Sequence, residues 1–287
     1  MLSNRRAYRC GVSSAVGSSL RVTLLGTGSP TPSLSRHHPA ALVQWGNGSS
    51  VLVDVGDGAV TQLLRADVAL GELHHVAITH LHWDHILGYP AFVWGSWCAG
   101  RTQLHVVGPS GTVDMHQRLV EGFYRDQAEW AMRLGFRREG WDAVDVVDVE
   151  PGWSVELDGC VIEAGRVEHP PMTALGYRFT VGDRSVAISG DTARCPEVVE
   201  LARDADVLIV DACAAPPGGD VTPARRAIID RLHEFHASPQ DCIDMAAAAG
   251  VGRVVLTHHL PEARLELATD GFTGEVIVGS DLDVIVV

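Results

Sequence analysis

The chain lacks any apolar run long enough to cross a bilayer, and its start lacks the 7–15-residue apolar stretch of a secretory signal. Neither a membrane span nor export by that route is expected. Residues 1–19, with Arg5, Arg6 and Arg9 among serines and glycines, read as a flexible leader. Cys-x-x-Cys spacing is also missing: Cys10, Cys98, Cys160, Cys195, Cys213 and Cys242 are scattered. That pattern excludes a zinc knuckle or a disulfide framework, and it fits small buried side chains or free thiols in a reducing compartment. A cytoplasmic location is the expectation. Basic charge is scarce, with 22 Lys plus Arg against 36 Asp plus Glu and a formal net charge of −14. Such a balance opposes approach to a polyanion, so a nucleic-acid partner is not expected without a local basic patch. Linker-like and low-complexity segments are missing too, and 46% hydrophobic residues supply a core, so residues 20–287 read as a single domain.

What the chain does have is many short strands. The pattern predicts strands at Arg21–Leu25, Ala41–Trp45, Val51–Val53, Val76–Thr79, Leu104–Val107, Val144–Val149, Val161–Val167, Leu175–Thr180, Ser185–Ile188, Val207–Val210, Arg253–Leu256 and Val276–Val278. Helices are predicted at Ala59–Arg65, Thr112–Arg125, Pro196–Arg203, Pro239–Ala249 with Ser238 as N-cap, and Pro261–Leu267. Hairpins mixed with crossover helices on this much sheet predict an α/β fold of two packed sheets with helices outside, a four-layer αββα sandwich.

One segment carries the chemistry. Thr79-His80-Leu81-His82-Trp83-Asp84-His85 follows the apolar Val76-Ala77-Ile78 and packs four metal-seeking side chains into six positions. Three imidazoles and a carboxylate so close together repel or desolvate one another unless a divalent ion turns the crowding into coordination. Side chains alternate along an extended segment and rotate at the following turn, so the four cannot all reach one ion. Two adjacent ions are expected, and their roughly 8 to 10 ligand positions need further donors. His169, Asp191 and His258 each sit where an apolar strand empties into a loop, a usual address for site residues held by a rigid sheet. A water shared by two divalent ions loses a proton near neutral pH, giving a bridging hydroxide placed to attack an electrophilic carbon or phosphorus. Asp54, before Gly56 and Gly58, either holds a ligand imidazole in its tautomer or bonds its own backbone in a tight turn.

The order of these motifs resembles the metallo-β-lactamase fold superfamily, and within it the ribonuclease Z-like branch. The likeness runs from about Arg21 to the C-terminus: Leu25-Gly26-Thr27-Gly28-Ser29, Val53 to Gly58, the Thr79 to His85 signature, Val167-Glu168-His169 with Leu175-Gly176-Tyr177, Ser189-Gly190-Asp191-Thr192, and Thr257-His258. The resemblance implies one zinc-like ion on His80, His82 and His169, a second on Asp84, His85 and His258, and Asp191 bridging both. It also places His236 in a segment similar to the His-Ser-Thr of ribonuclease Z, and Asp211 where that family carries a glutamate. Asp84, Asp211 and His236 are therefore the candidate catalytic groups, the last as the acid that protonates the leaving group; an N-cap role for the Ala237-Ser238 turn is the competing local reading.

For the substrate, ribonuclease Z enzymes carry a Gly- and Pro-rich basic arm that clamps tRNA, whereas Ser110 to Gly140 here contains no proline and reads as amphipathic helix. A small molecule is favoured. Trp83, Tyr89, Phe92, Trp94 and Trp97 suit an apolar ester, lactone, thioester or aryl group, with helix-core packing the competing reading for Phe92 and Trp94. His37 and His38 either line the pocket or sit solvated in their loop. His259 is expected to point away from His258, and His105, His116 and His233 match no ligand motif. The reading is a dinuclear metal-dependent hydrolase, with zinc as the expected metal, acting on a small ester-like or phosphodiester substrate; a homodimer is compatible with it. Its rivals are a ribonuclease Z-type tRNA 3′-processing endonuclease and an iron-dependent oxidoreductase, although flavo-diiron relatives carry an acidic residue where His82 stands.

Overall fold

Strand composition decides where each strand can sit. Val207–Asp211 is apolar up to its terminal carboxylate and is buried on both faces, whereas Cys160–Val167 alternates, hiding Cys160, Ile162 and Ala164 and exposing Val161, Glu163 and Arg166. In the computed structural model of the chain, residues 20–287 are described apart from Asn47, Glu266, Ala268 and Asp270. The leader read over residues 1–19 lies outside the described residues.

In chain order the strands are β1 (Arg21–Gly26), β2 (Ala40–Trp45), β3 (Ser49–Val53), β4 (His75–Ala77), β5 (Leu104–Gly108), β6 (Val144–Asp148), β7 (Ser154–Leu157), β8 (Cys160–Val167), β9 (Ala174–Val181), β10 (Arg184–Ile188), β11 (Val207–Asp211), β12 (Arg253–Thr257), β13 (Glu275–Val278) and β14 (Val284–Val286). They form two seven-stranded sheets, β14-β1-β2-β3-β4-β5-β6 and β13-β12-β11-β10-β9-β8-β7. Both are mixed. β14 through β3 pair antiparallel and β3 through β6 parallel; β7 through β10 pair antiparallel and β10 through β13 parallel.

The core between the sheets is built from Val22, Leu24, Val43 and Val53 on one side and Tyr177, Phe179, Val186 and Ile209 on the other. Helices α1 (Ala59–Arg65), α2 (Trp83–Ile86), α3 (Tyr89–Cys98), α4 (Thr112–His116), α5 (Phe123–Arg133) and α6 (Arg138–Asp142) belong to the first half of the chain. Leu63, Phe92, Trp97, Ala128 and Trp141 from them cover the outer face of the first sheet. Of α7 (Pro196–Leu201), α8 (Pro223–Ile229) and α9 (Pro239–Ala249), α7 and α9 cover the second sheet through Val198, Ile243 and Ala246. The layers are αββα, as the strand and helix pattern predicts. No helix among the described residues is long and apolar enough to cross a membrane.

Two predicted helices differ. Thr112–Arg125 is not one helix: a π-helical turn at Gln117–Gly122 separates α4 from α5, and it ends on Gly122, a poor helix former. Pro261–Leu267 is not helical where described, because its backbone is spent on another segment. Gly218 N–H donates to Glu262 O and Arg264 N–H to Pro216 O, both at 2.8 Å, which fixes the Pro217–Ala263 bridge.

Candidate metal centre

The parallel halves of both sheets end on the same side, where loops collect. β4 runs out at Ala77, and Thr79 then anchors the chain: its N–H donates to Asp54 Oδ1 and its hydroxyl to Asp54 Oδ2, each at 2.7 Å. His82 is extended, so the chain turns into α2, which buries Asp84 and His85 and leaves Trp83 48% exposed. The second sheet brings His169 after β8, Asp191 after β10 and His258 after β12, all buried. All seven sequence-predicted donors therefore converge, and each group of them draws on both sheets.

Asp191 divides its carboxylate between two groups. Its Oδ2 lies 3.7 Å from His80 Nε2 and 3.8 Å from His169 Nε2. His82 Nδ1 completes that group, 3.1 Å from His80 Nε2 and 3.0 Å from His169 Nε2. The other oxygen, Oδ1, lies 3.1 Å from His85 Nε2 and 3.4 Å from His258 Nε2. Asp84 Oδ2 joins this second group at 3.8 Å from His85 Nε2 and 3.3 Å from His258 Nε2. Donors at metal-bond lengths of about 2.0–2.2 Å stand roughly 3.3 Å apart around a tetrahedral ion, so this spacing fits divalent metals.

Hydrogen bonds behind the donors fix which ring nitrogen is free. His85 Nδ1 donates to Asp54 Oδ2 at 2.7 Å and His169 Nδ1 to Phe235 O at 2.9 Å, leaving each Nε2 lone pair turned inward. Asp54 thus spends its oxygens on Thr79 and His85 rather than on its own turn. Both Asp54 and His258 sit at positive φ, 56° and 62°, backbone that L-residues adopt rarely and that recurs at functional sites. Of the donor atoms in these two groups, His85 Nε2 and Asp191 Oδ1 are buried without a hydrogen bond. Buried polar atoms are almost always paired, so orphaned donors of this kind are what a metal site requires.

Beside this cluster His236 Nδ1 lies 2.7 Å from Asp211 Oδ2 and 3.9 Å from Asp191 Oδ2. Its ring stacks on that of His258 at 5.5 Å and 17°. Asp211 is held by Thr192 N–H at 3.1 Å and Cys213 N–H at 2.8 Å. Burial raises and His236 lowers the Asp211 carboxyl, and the net is a drop to about 2. Burial pulls His236 down, yet Asp211 and Asp191 outweigh it and the imidazole is raised. His80, with burial and then His85 acting on it, is held well below its usual value. The two readings of the Ala237-Ser238 turn are not exclusive: Ser238 caps α9 with a full capping box to Asp241 while His236, two residues earlier, pairs with Asp211.

Other histidines sort clearly. His259 is buried with Nε2 3.0 Å from Leu256 O, outside the donor groups, because the left-handed turn at His258 sends the two side chains apart. His116 bonds Tyr89 Oη at 2.8 Å, and His105 stacks on His75 near the start of β4 and β5. His37 pairs with Asp281 at 2.8 Å; His38 is buried, its ring edge-on to Trp83 at 5.0 Å. Tyr89, Phe92 and Trp97 pack the helix core, so only Trp83 and Trp94 of the aromatic run line the outer hollow of about 950 Å³ with Leu87, Leu119 and Phe123. Sequence reasoning missed Cys213, which stands with Asp211, His236 and His258 in a further group of possible ligands. Alternation puts Asp211 and Cys213 on one face, but nothing local in the sequence brings His236 and His258 to that face.

Residues 49–259 match the family described as the beta-lactamase superfamily domain. The ribonuclease Z of Mycobacterium sp. (strain KMS) is 31% identical over 281 residues, covering 92% of this chain and 94% of that protein. The chain belongs to the metallo-β-lactamase superfamily, in its ribonuclease Z-like branch. Among solved structures, the metallo-β-lactamase fold protein YhfI from Bacillus subtilis superposes with a TM-score of 0.71 at 19% identity, covering 94% of this chain and 100% of that one. The short form of human tRNase Z gives 0.66 at 24% identity, covering 92% and 98%. At those identities the likeness is one of fold. Metallo-β-lactamase superfamily enzymes are typically dinuclear metal-dependent hydrolases, and the described residues hold the donor groups such a site needs.

Proposed function

We propose that the chain is a dinuclear, zinc-dependent phosphodiester hydrolase acting on a small substrate with an apolar or aryl group. The observation that carries the reading is Asp191, whose two oxygens face two separate donor groups with the His236–Asp211 pair alongside. His80, His82 and His169 would hold one ion, Asp84, His85 and His258 the second, and Asp191 both. Bound there, two ions supply Lewis-acid polarisation of the phosphoryl oxygens and a nucleophile available at neutral pH.

The chain's own groups supply the rest. His236 donates its Nδ1 proton to Asp211, which keeps the Nε2 proton available for transfer and stabilises the cationic ring before transfer. As the P–O bond breaks, the electron pair stays on the leaving oxygen and His236 Nε2 gives that oxygen its proton. Asp84, whose Oδ1 is buried without a hydrogen bond, would accept the proton of the attacking water. Trp83 and the hollow beyond it offer apolar surface to the substrate's organic part.

The test is metal content of the purified protein, paired with chromogenic phosphodiesters, carboxylic esters, lactones and thioesters assayed before and after chelation. About two zinc per chain and chelator-sensitive hydrolysis of the phosphodiesters are expected. Turnover confined to carboxylic esters or lactones would move the substrate class, and iron in place of zinc would revive the oxidoreductase reading.

A second reading, tRNA 3′-processing, is favoured by the 31% identity to a ribonuclease Z across nearly the whole chain. Against it, residues 112–142 pack onto the first sheet, burying Val120, Ala128, Ala131 and Trp141, rather than extending as a basic arm. Cleavage of a 3′-extended tRNA at low salt decides between the two.

A further inference from the structure

Asp211, Cys213, His236 and His258 form a donor group on the second-sheet side of the centre, all buried, with their ligand atoms within 4.8 Å of one another. Only His258 belongs to the two groups assigned above, and it enters them through Nε2. Its other nitrogen, Nδ1, lies 3.2 Å from Asp211 Oδ1, an ion-pair contact whose angle is poor for a hydrogen bond, in a residue only 2% exposed. The Cys213 thiol lies within 4.8 Å of a His258 ring nitrogen. Ala212 N–H donates to Thr257 O at 3.0 Å, which keeps the segment extended and returns Cys213 to the face of Asp211.

A carboxylate, a thiol and two imidazoles around one buried point are the donor types that soft and borderline cations prefer, and magnesium, calcium and manganese do not. Bonds of about 2.3 Å to sulfur and about 2.0–2.2 Å to nitrogen and oxygen put such donors roughly 3.3–3.7 Å apart. The Asp211–His258 separation already fits, and the Asp211–His236 contact at 2.7 Å has to open slightly.

We propose that Asp211, Cys213 and His236, with His258 Nδ1 as fourth donor, bind a third, soft divalent cation that inhibits the enzyme. Binding forms bonds from the cation to the Cys213 sulfur, the Asp211 oxygen and the two imidazoles, and it releases the thiol proton and the imidazole protons on the bonded nitrogens to solvent. No oxidation state changes. The inhibition rests on the proposed function, because the groups taken are those that handle the leaving-group proton.

The experiment is titration of the metal-free full chain with Co²⁺, followed by absorption in the near ultraviolet, where thiolate-to-cobalt charge transfer is seen. The first two equivalents are expected to bind without that band and the third with it. Cys213→Ser and Cys213→Ala should both lose the third equivalent and the band. Cys242→Ser should keep them, although the Cys242 thiol donates to Asp211 O at 3.1 Å and is the rival sulfur. In rate assays, the excess zinc that halves turnover should rise at least about tenfold in whichever Cys213 variant folds. Two equivalents with no third in the wild-type chain, or a band that survives both Cys213 substitutions, overturns the proposal. A thiolate band with the first two equivalents missing overturns the dinuclear reading instead and leaves the Cys213 site standing.

Discussion

His236 Nδ1 and Asp211 Oδ2 are 2.7 Å apart, and two backbone N–H groups hold the carboxylate in place. The pair orients one imidazole beside Asp191 without taking any of the seven donors. His236→Ala is expected to slow substrates with poor leaving groups by about 10²–10⁴-fold and those with good leaving groups far less, with two ions still bound. Rates for a series of aryl leaving groups, together with metal analysis, check this. A uniform loss across the series would assign His236 a structural role.

Asp191→Ala should abolish turnover and lower bound metal below the wild-type stoichiometry, because both donor groups lose their shared carboxylate. Asp54→Ala should be milder, weakening metal affinity about 10- to 100-fold by freeing the His85 ring and the Thr79 backbone. Competition with a chromophoric chelator gives both numbers. An Asp191→Ala protein that keeps both ions would contradict the assignment.

Acid sensitivity has a source outside the centre. Burial, with smaller contributions from Arg101 and Arg125, lowers His116 to about 4 from 6.5. The unfolded chain then binds the proton more readily than the folded one, so this stability is full above pH 6.5 and is lost as pH falls from 6.5 to 4. The loss amounts to at most about 3 kcal/mol. Urea unfolding at pH 7.5 and pH 5 should show a smaller difference in His116→Gln than in the wild-type chain.

Trp83 stands between Asp84 and the outer hollow. Trp83→Ala should raise KM for aryl substrates several-fold and leave kcat nearly unchanged, the pattern of lost uniform binding. Methyl-substituted counterparts should be insensitive; a kcat effect of equal size on both would place Trp83 in the chemistry.

Much of this was legible because the motif residues follow strands that end together. His80, His82, Asp84 and His85 are adjacent in sequence, and His169, Asp191 and His258 each close an apolar run, so strand ends alone predict their convergence. Cys213 was not legible: its relevance depends on His258 reaching it from the next strand, and a pairing of β11 with β12 is long-range information. The helix Tyr89–Cys98 surfaced only as a competing core reading for Phe92 and Trp94, and its limits escaped because Tyr-Pro-Ala-Phe-Val-Trp lacks the polar stripe that reveals a helical period. Edge strands β7 and β14, short and with few buried residues, were too weak a pattern to register.

Each donor group takes side chains from both sheets, so an ion bound there is also a cross-link. His85 follows β4 and His258 follows β12, and coordination ties points 173 residues apart in the chain (258 − 85), a closure far longer than most disulfides make. The chemical centre is then a rivet between the two halves of the sandwich. Stripping the metal should loosen the seam between the sheets as well as stop turnover, and heat resistance should track metal concentration.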